Sequence, residues 1–291
     1  MADMLYARLE SRAVVAVEGA DARDFLQGLV SNDVDRLGPA AALYAALLTP
    51  QGKYLFDFFL AQSGDAVWLD VEAGRAPDLV KRLSMYKLRS KVTITPRDDV
   101  GVAALFGDIA PLDIVGAGAA KDFAGGVAFV DPRLATAGAR LLAPTERLDS
   151  VLADLGARAV SADDYDSHRL ALGLADGSRD IQIEKSTLLE ANFEELHGVD
   201  FKKGCYVGQE VTARTKYRGL VKKRLVPVTI DGPVPAAGTA VTDAEGREVG
   251  TLHSAQPGIG LALLRLEQLD ASALRAGEAT ISPRKPAWIA A

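Results

Sequence analysis

The chain has 291 residues, 48% of them hydrophobic and 25% charged, with a formal net charge of −6. That is enough apolar material for two or three ordinary domains and excludes a disordered or low-complexity chain. A single cysteine, Cys205, excludes an internal disulfide, and also an iron–sulfur cluster or Cys-rich zinc site held by this chain alone.

No run of 18 apolar residues is present, so no membrane-spanning helix is expected. The first residues, Met-Ala-Asp-Met-Leu-Tyr, carry an acid early and no apolar signal core. With the lone thiol, this predicts a cytoplasmic protein. The histidines, His168, His197 and His253, lie far apart and form no metal-ligand pattern, so no metal site is expected.

Ala13–Val17 reads as a short apolar strand. Asp21 is placed to cap a helix whose Phe25, Leu26, Leu29 and Val30 share a face. Leu43–Leu48 is apolar and runs into the turn signal Thr49-Pro50-Gln51-Gly52. Tyr54–Leu60 and Val67–Val71 read as paired strands, and Pro77 opens a helix with Leu79, Val80, Leu83 and Tyr86 inward. Lys91–Thr95 alternates like a half-exposed strand. The segment from Asp98 to Arg140 is rich in Ala and Gly, and its elements have no readable boundaries.

Glu146–Leu155 forms a helix, and Ser161 caps another that carries Tyr165, His168 and Leu172. Glu184–Glu195 reads as a polar loop or short helix. Beyond Val221, short apolar runs (Leu225–Ile230, Ala240–Thr242, Glu248–Leu252, Gly260–Leu264) alternate with Gly and Pro. This predicts a separate small β-barrel over 223–291, preceded by an α+β unit over 1–222. Residues 46–98 are expected to form a second module inserted in that unit.

The densest chemistry lies at Lys202-Lys203-Gly204-Cys205-Tyr206-Val207-Gly208-Gln209-Glu210. The lysines place positive charge beside the sulfur, which favours thiolate, and the glycines let the backbone turn or approach a ligand. From Lys202 to Arg224 there are eight basic residues and one acid, +7 in a chain of net −6. Such a reversal suggests an anion-binding surface, and on an acidic protein a small anionic ligand fits better than nucleic acid. Tyr206 and Tyr217 are candidates for stacking on a base or a pteridine ring.

The sequence KGCYVGQEVTARTKYRG within Phe201–Leu225 resembles the signature of the YgfZ-type folate-binding proteins. These are relatives of the T-protein (aminomethyltransferase) of the glycine cleavage system, and they include mitochondrial proteins needed to mature [4Fe–4S] enzymes. Phe25-Leu26-Gln27-Gly28, Asn32-Asp33-Val34, Thr49–Asp57, Leu83–Ile94, Leu188–Gly198 and Val249-Gly250-Thr251 extend the likeness over most of the chain. The resemblance implies an α+β ring of two ferredoxin-like modules and a C-terminal barrel, with tetrahydrofolate in a central channel. By the same resemblance Glu190, with Asn192 beside it, reads the pterin, and Asp57 survives from a catalytic pair whose other member is replaced by Phe56.

Two functions follow as expectations. One is a folate-dependent accessory factor for iron–sulfur cluster assembly or repair, working with assembly proteins or client enzymes, including tRNA-modifying ones. The other is a one-carbon transferase using Cys205 or Asp57; an RNA-binding module is a third reading. The expected ligand-binding residues are Glu190, Asn192, Lys203, Tyr206, Gln209 and Glu210, with Arg214 and Arg218 receiving the carboxylates of a folate tail. Simple matching puts Arg12 and Arg169 where some bacterial relatives carry tryptophans near the ligand.

Overall fold

Val14–Val17 are buried throughout the strand Arg12–Glu18, as suits a strand with neighbours on both edges and packing on both faces. A computed structural model describes residues 3–271 and 273–289. Its contacts divide into two units. The first holds the chain up to Leu48, Leu55–Tyr165 and Leu196–Val207; the second holds Thr49–Tyr54, Asp166–Glu195 and the chain from Gly208 onward.

Within the first unit, Arg12–Glu18 pairs antiparallel with Ala66–Glu72 and Thr93–Pro96. Tyr54–Ser63 and Leu43–Leu48 extend this to a five-stranded sheet. Helices α1 (Ala22–Gln27) and α2 (Ala76–Lys87) share its core through Phe25, Leu26, Leu79 and Leu83. The sheet takes a strand from residues 12–18, so the module expected over 46–98 draws on earlier chain. Asp21 precedes α1 without capping it; its carboxylate accepts from the N–H of Lys91 at 2.6 Å.

The second sheet of this unit has six strands: Arg158–Ala159, Met4–Arg8, Val100–Gly107, Ala139–Pro144, Gly126–Val130 and Ala120–Phe123. Three of them lie in the Ala- and Gly-rich stretch that resisted reading, and a fourth, Ala139–Pro144, begins at its end. Alanine is a weak strand former, but Ala103, Ala104, Ala128, Ala139 and Ala143 are buried here. Gly138 sits at φ +96, where a Cβ would lie 2.0 Å from the Leu105 carbonyl; only glycine fits. Helix α3 (Thr145–Asp154) adds Leu148, Val151 and Leu152 to the core of this sheet. Ser161 and Asp164 exchange bonds at the start of α4 (Ala162–Leu172): Ser161 N–H and Oγ donate to the carboxylate, and Asp164 N–H donates to Oγ.

In the second unit, Lys223–Asp231, Ile259–Arg265, Glu248–Gln256, Ala240–Thr242, Leu274–Ala276 and Ala279–Pro283 close into a barrel. Val228, Val241, Leu252, Ala262, Leu264 and Ile281 fill it, and closure leaves no sheet edge. The last two strands escaped the sequence reading because each is short and they are joined by a tight turn at Gly277. Helix α5 (Gln209–Tyr217) was also missed: its buried residue is Thr212, so it shows no apolar stripe. Among the described residues no helix is long and apolar enough to cross a membrane.

Candidate functional site

The Cys205 loop is built on backbone bonds. Asp200 Oδ1 accepts from the N–H groups of Lys202 at 2.6 Å and Lys203 at 3.1 Å, fixing a turn. The turn sends the Lys203 ammonium inward, where it donates to the carbonyls of Gln27 (2.9 Å), Val30 (2.7 Å) and Asn32 (2.6 Å). These carbonyls lie at and just beyond the C-terminal end of α1, where a cation is favoured. Burial lowers the pKa of this lysine to about 8, against the opposing pull of Asp33, Asp200 and Asp35.

Tyr206 is buried with its ring centroid 5.4 Å from Lys203 Nζ. Val207 packs on the core of the five-stranded sheet. With both neighbours of the dipeptide Gly204-Cys205 turned inward, the thiol stands exposed. The ammonium of Lys203 has three donors, and all three are spent on main chain, while the Tyr206 ring is buried beside it, so neither is left open for the expected ligand role.

Further along, Glu210 and Arg214, both exposed, pair with each other along α5 at 2.6 Å. Gln209 opens the helix, half-buried. Arg218 lies just past its end, exposed and without an ion pair among the described residues. Glu190 is half-buried, and its Oε2 accepts from Thr187 N–H and Oγ1, each at 2.9 Å. Asn192 is buried at φ +61, a conformation asparagine tolerates. Its Nδ2 donates to the Leu225 carbonyl at 2.7 Å, and its Oδ1 has no hydrogen-bond partner among the described residues.

Asp57 is buried and accepts from the Tyr44 hydroxyl at 2.9 Å. Burial first, and then the charge of Asp57, push the Tyr44 pKa well above its ordinary value; the phenol stays a donor. Around them is a cluster that sequence reasoning missed. The guanidinium carbons of Arg140, Arg133 and Arg12 lie 4.2, 4.8 and 6.0 Å from the ring centroid of Phe59. Asp70, fully buried, accepts from Arg12 Nε and Arg140 Nη1 at 2.7 Å each. Burial alone would raise the Asp131 carboxyl, but Arg133 beside it holds it below its ordinary value. Arg12 and Asp70 are 58 positions apart and Asp70 and Arg140 are 70 apart, so no local pattern announces them.

Arg169 is likewise committed, to Asp166 at 2.6 Å, Asp180 at 2.7 Å and the Leu174 carbonyl at 2.9 Å. Both arginines matched to tryptophans of bacterial relatives are therefore bound up in buried ion pairs.

Residues 222–291 match the family model described as the CAF17 C-terminal beta-barrel domain. The chain is 35% identical over 288 residues to the mitochondrial iron–sulfur cluster assembly factor IBA57 of Mus musculus, covering 90% of this chain and 78% of that protein. The Homo sapiens factor is 36% identical over 281 residues with the same coverage. A Mycosarcoma maydis homologue is 35% identical, over 90% of this chain and 74% of its own. Among solved structures, the glycine cleavage system aminomethyltransferase T of Bartonella henselae superposes with a TM-score of 0.83, over 99% of this chain and 87% of its own, at 18% identity. The fold is therefore the aminomethyltransferase-like α+β fold with a closed C-terminal barrel. The cytoplasmic expectation is overturned, since these relatives are named as mitochondrial. A chain with one cysteine forms no internal disulfide in any compartment, so that count never distinguished them.

Proposed function

This chain belongs to the IBA57 family of iron–sulfur cluster assembly factors, and on that premise we propose that the Cys205 loop is its working surface in the assembly or repair of [4Fe–4S] clusters. The observation that carries this reading is an exposed thiol on a loop whose flanking residues are locked inward by the Lys203 bonds. One thiolate holds no cluster alone, but it supplies a single ligand, or a transient sulfur contact, while a partner supplies the rest. The cluster is cargo, and client enzymes, including tRNA-modifying ones, depend on the chain indirectly.

Tetrahydrofolate is the proposed small ligand, as in the YgfZ-type branch. What supports it is the acceptor chemistry at 190–192: a carboxylate with one oxygen engaged locally, and a buried amide oxygen with no donor. The donor edge of a pterin suits such acceptors. Glu190 would orient the ring and Arg218 would meet the anionic tail. Aminomethyl transfer is the weaker reading, because Phe56 stands where the T-protein has a second carboxylate and Asp57 is buried against Tyr44.

The test is complementation of a strain lacking its own copy. Cys205→Ser should leave thermal stability unchanged within about 0.5 kcal/mol, yet fail to restore the activity of a dependent [4Fe–4S] enzyme. Full restoration by the serine variant removes the thiol from the mechanism. For the ligand, Glu190→Gln should weaken tetrahydrofolate roughly 5- to 150-fold; equal affinity removes Glu190 from the site.

A further inference from the structure

Leu266 lies between two depressions on the second unit and lines both. One is a cavity of about 290 Å³ walled by Val226, Leu269, Pro283 and Ile289. Val226 and Ile289 also belong to the apolar core of the barrel, so the cavity reaches that core. The other is an open cleft beside Lys222, Lys223 and Arg265. The basic run noticed in the sequence thus ends at this surface, where the fold joins it to cations far away in the chain.

Charge is concentrated around both depressions. Arg224, Arg284 and Lys285 line the cavity, as Lys222, Lys223 and Arg265 line the cleft. Of these, Arg224 is spent on Glu195, and Arg265 is loosely paired with Glu267 at 3.6 Å between exposed ends. Lys222, Lys223, Arg284 and Lys285 have no ion-pair partner among the described residues. Against these six cations the lining holds three acids, Glu195, Glu267 and Asp270. The local excess is positive in a chain that is negative overall.

We propose that the two depressions form one groove for an acidic segment of a partner protein, with one apolar side chain of that segment seated in the 290 Å³ cavity. The volume falls just below the range of roughly 300–1,000 Å³ for small-molecule sites, which suits an anchoring side chain better than a whole cofactor. An apolar pocket rimmed by cations is how a protein interface combines a central anchor with electrostatic steering. Single-stranded nucleic acid is met instead by aromatic platforms, and no aromatic side chain lines either depression. The groove shares no residue with the Cys205 loop and goes beyond the assembly reading; peptide binding is measured without reference to clusters, so the two fail separately.

The test uses the full chain and fluorescence anisotropy. The probes are labelled peptides of about twelve residues: Glu and Asp flanking a central Leu-Phe, the same with Ser-Ser at the centre, and the same with Lys for every acid. A U-rich RNA of similar length is the fourth probe. The acidic Leu-Phe peptide should bind, Ser-Ser should weaken it at least about fivefold, and the Lys peptide should not bind. The double variant Lys222→Glu/Lys285→Glu should weaken the acidic peptide at least about tenfold and flatten its salt dependence. Leu266→Ser, at a residue already 41% exposed, should weaken it about threefold, and unchanged melting curves exclude unfolding. Equal binding of acidic and Lys peptides, undiminished binding by the double variant, or a preference for the RNA overturns the proposal.

Discussion

Lys203→Met tests the clamp beneath Cys205. Methionine keeps most of the stem and removes the ammonium, deleting bonds to the carbonyls of Gln27, Val30 and Asn32 at 2.9, 2.7 and 2.6 Å. Hydrogen bonds involving a charged group contribute about 1.5–3 kcal/mol each. Their sum overstates the effect, because the lysine is only partly buried, its carbonyls regain some water, and the desolvation that lowers its pKa to about 8 is relieved. We expect a net loss of about 2–4 kcal/mol in the local stability of the loop. Hydrogen exchange at the amides of 199–207 and at the end of α1 should accelerate roughly 30- to 700-fold at neutral pH, with the barrel strands unaffected. Cluster-enzyme complementation should fall although Cys205 is intact. Lys203→Arg should rescue only in part, since a planar fork does not reproduce three donors radiating from one nitrogen. Wild-type exchange in the methionine variant would refute the clamp.

Asp70→Asn should destabilise the first unit by about 3–5 kcal/mol in chemical denaturation, because two buried guanidiniums lose their countercharge; a loss below about 1 kcal/mol would mean the arginines find other acceptors. Burial, opposed only in part by Asp180, lowers the His253 pKa below its ordinary value. Below about pH 6.5 the unfolded chain then binds more protons than the folded one, so stability falls as pH drops from that point through the folded pKa. His253→Gln should remove that part of the acid sensitivity, and identical pH profiles would count against it. Gly138→Ala must place a Cβ 2.0 Å from a carbonyl at φ +96 and should cost about 1–3 kcal/mol or more; a melting curve unchanged by alanine would contradict the reported geometry.

Much of the fold was legible because its strands announce themselves. Leu43–Leu48, Tyr54–Ser63 and the first four barrel strands are apolar or alternating runs between turn residues. Val100–Gly107, Gly126–Val130 and Ala139–Pro144 were not, since they are buried along nearly their whole length and show no alternation, and the alanines among their valines and leucines are weak strand formers. The motif around Cys205 drew attention by its residue types, but the direction of Lys203 did not follow from them. Read linearly, that lysine charges the thiol's surroundings; folded, it faces the main chain of 27–32. The Arg–Asp cluster about Phe59 was invisible for a different reason: Arg12 and Asp70 meet only once their strands pair, Arg140 reaches them from the other sheet, and each alone reads as a surface charge.

Closing the barrel has a consequence for synthesis. Lys223–Asp231 is flanked by Ile259–Arg265 on one edge and by Ala279–Pro283 on the other. A ribosome adding roughly 5–20 residues per second delivers the second neighbour several seconds after the strand it must cover. Through that interval the edge of Val228 and Ile230 is unpaired, and the apolar staves have no lid. Until Ala279–Pro283 docks, Lys223–Asp231 carries an open edge able to pair with another chain, so the last strand of the barrel is also its guard against aggregation.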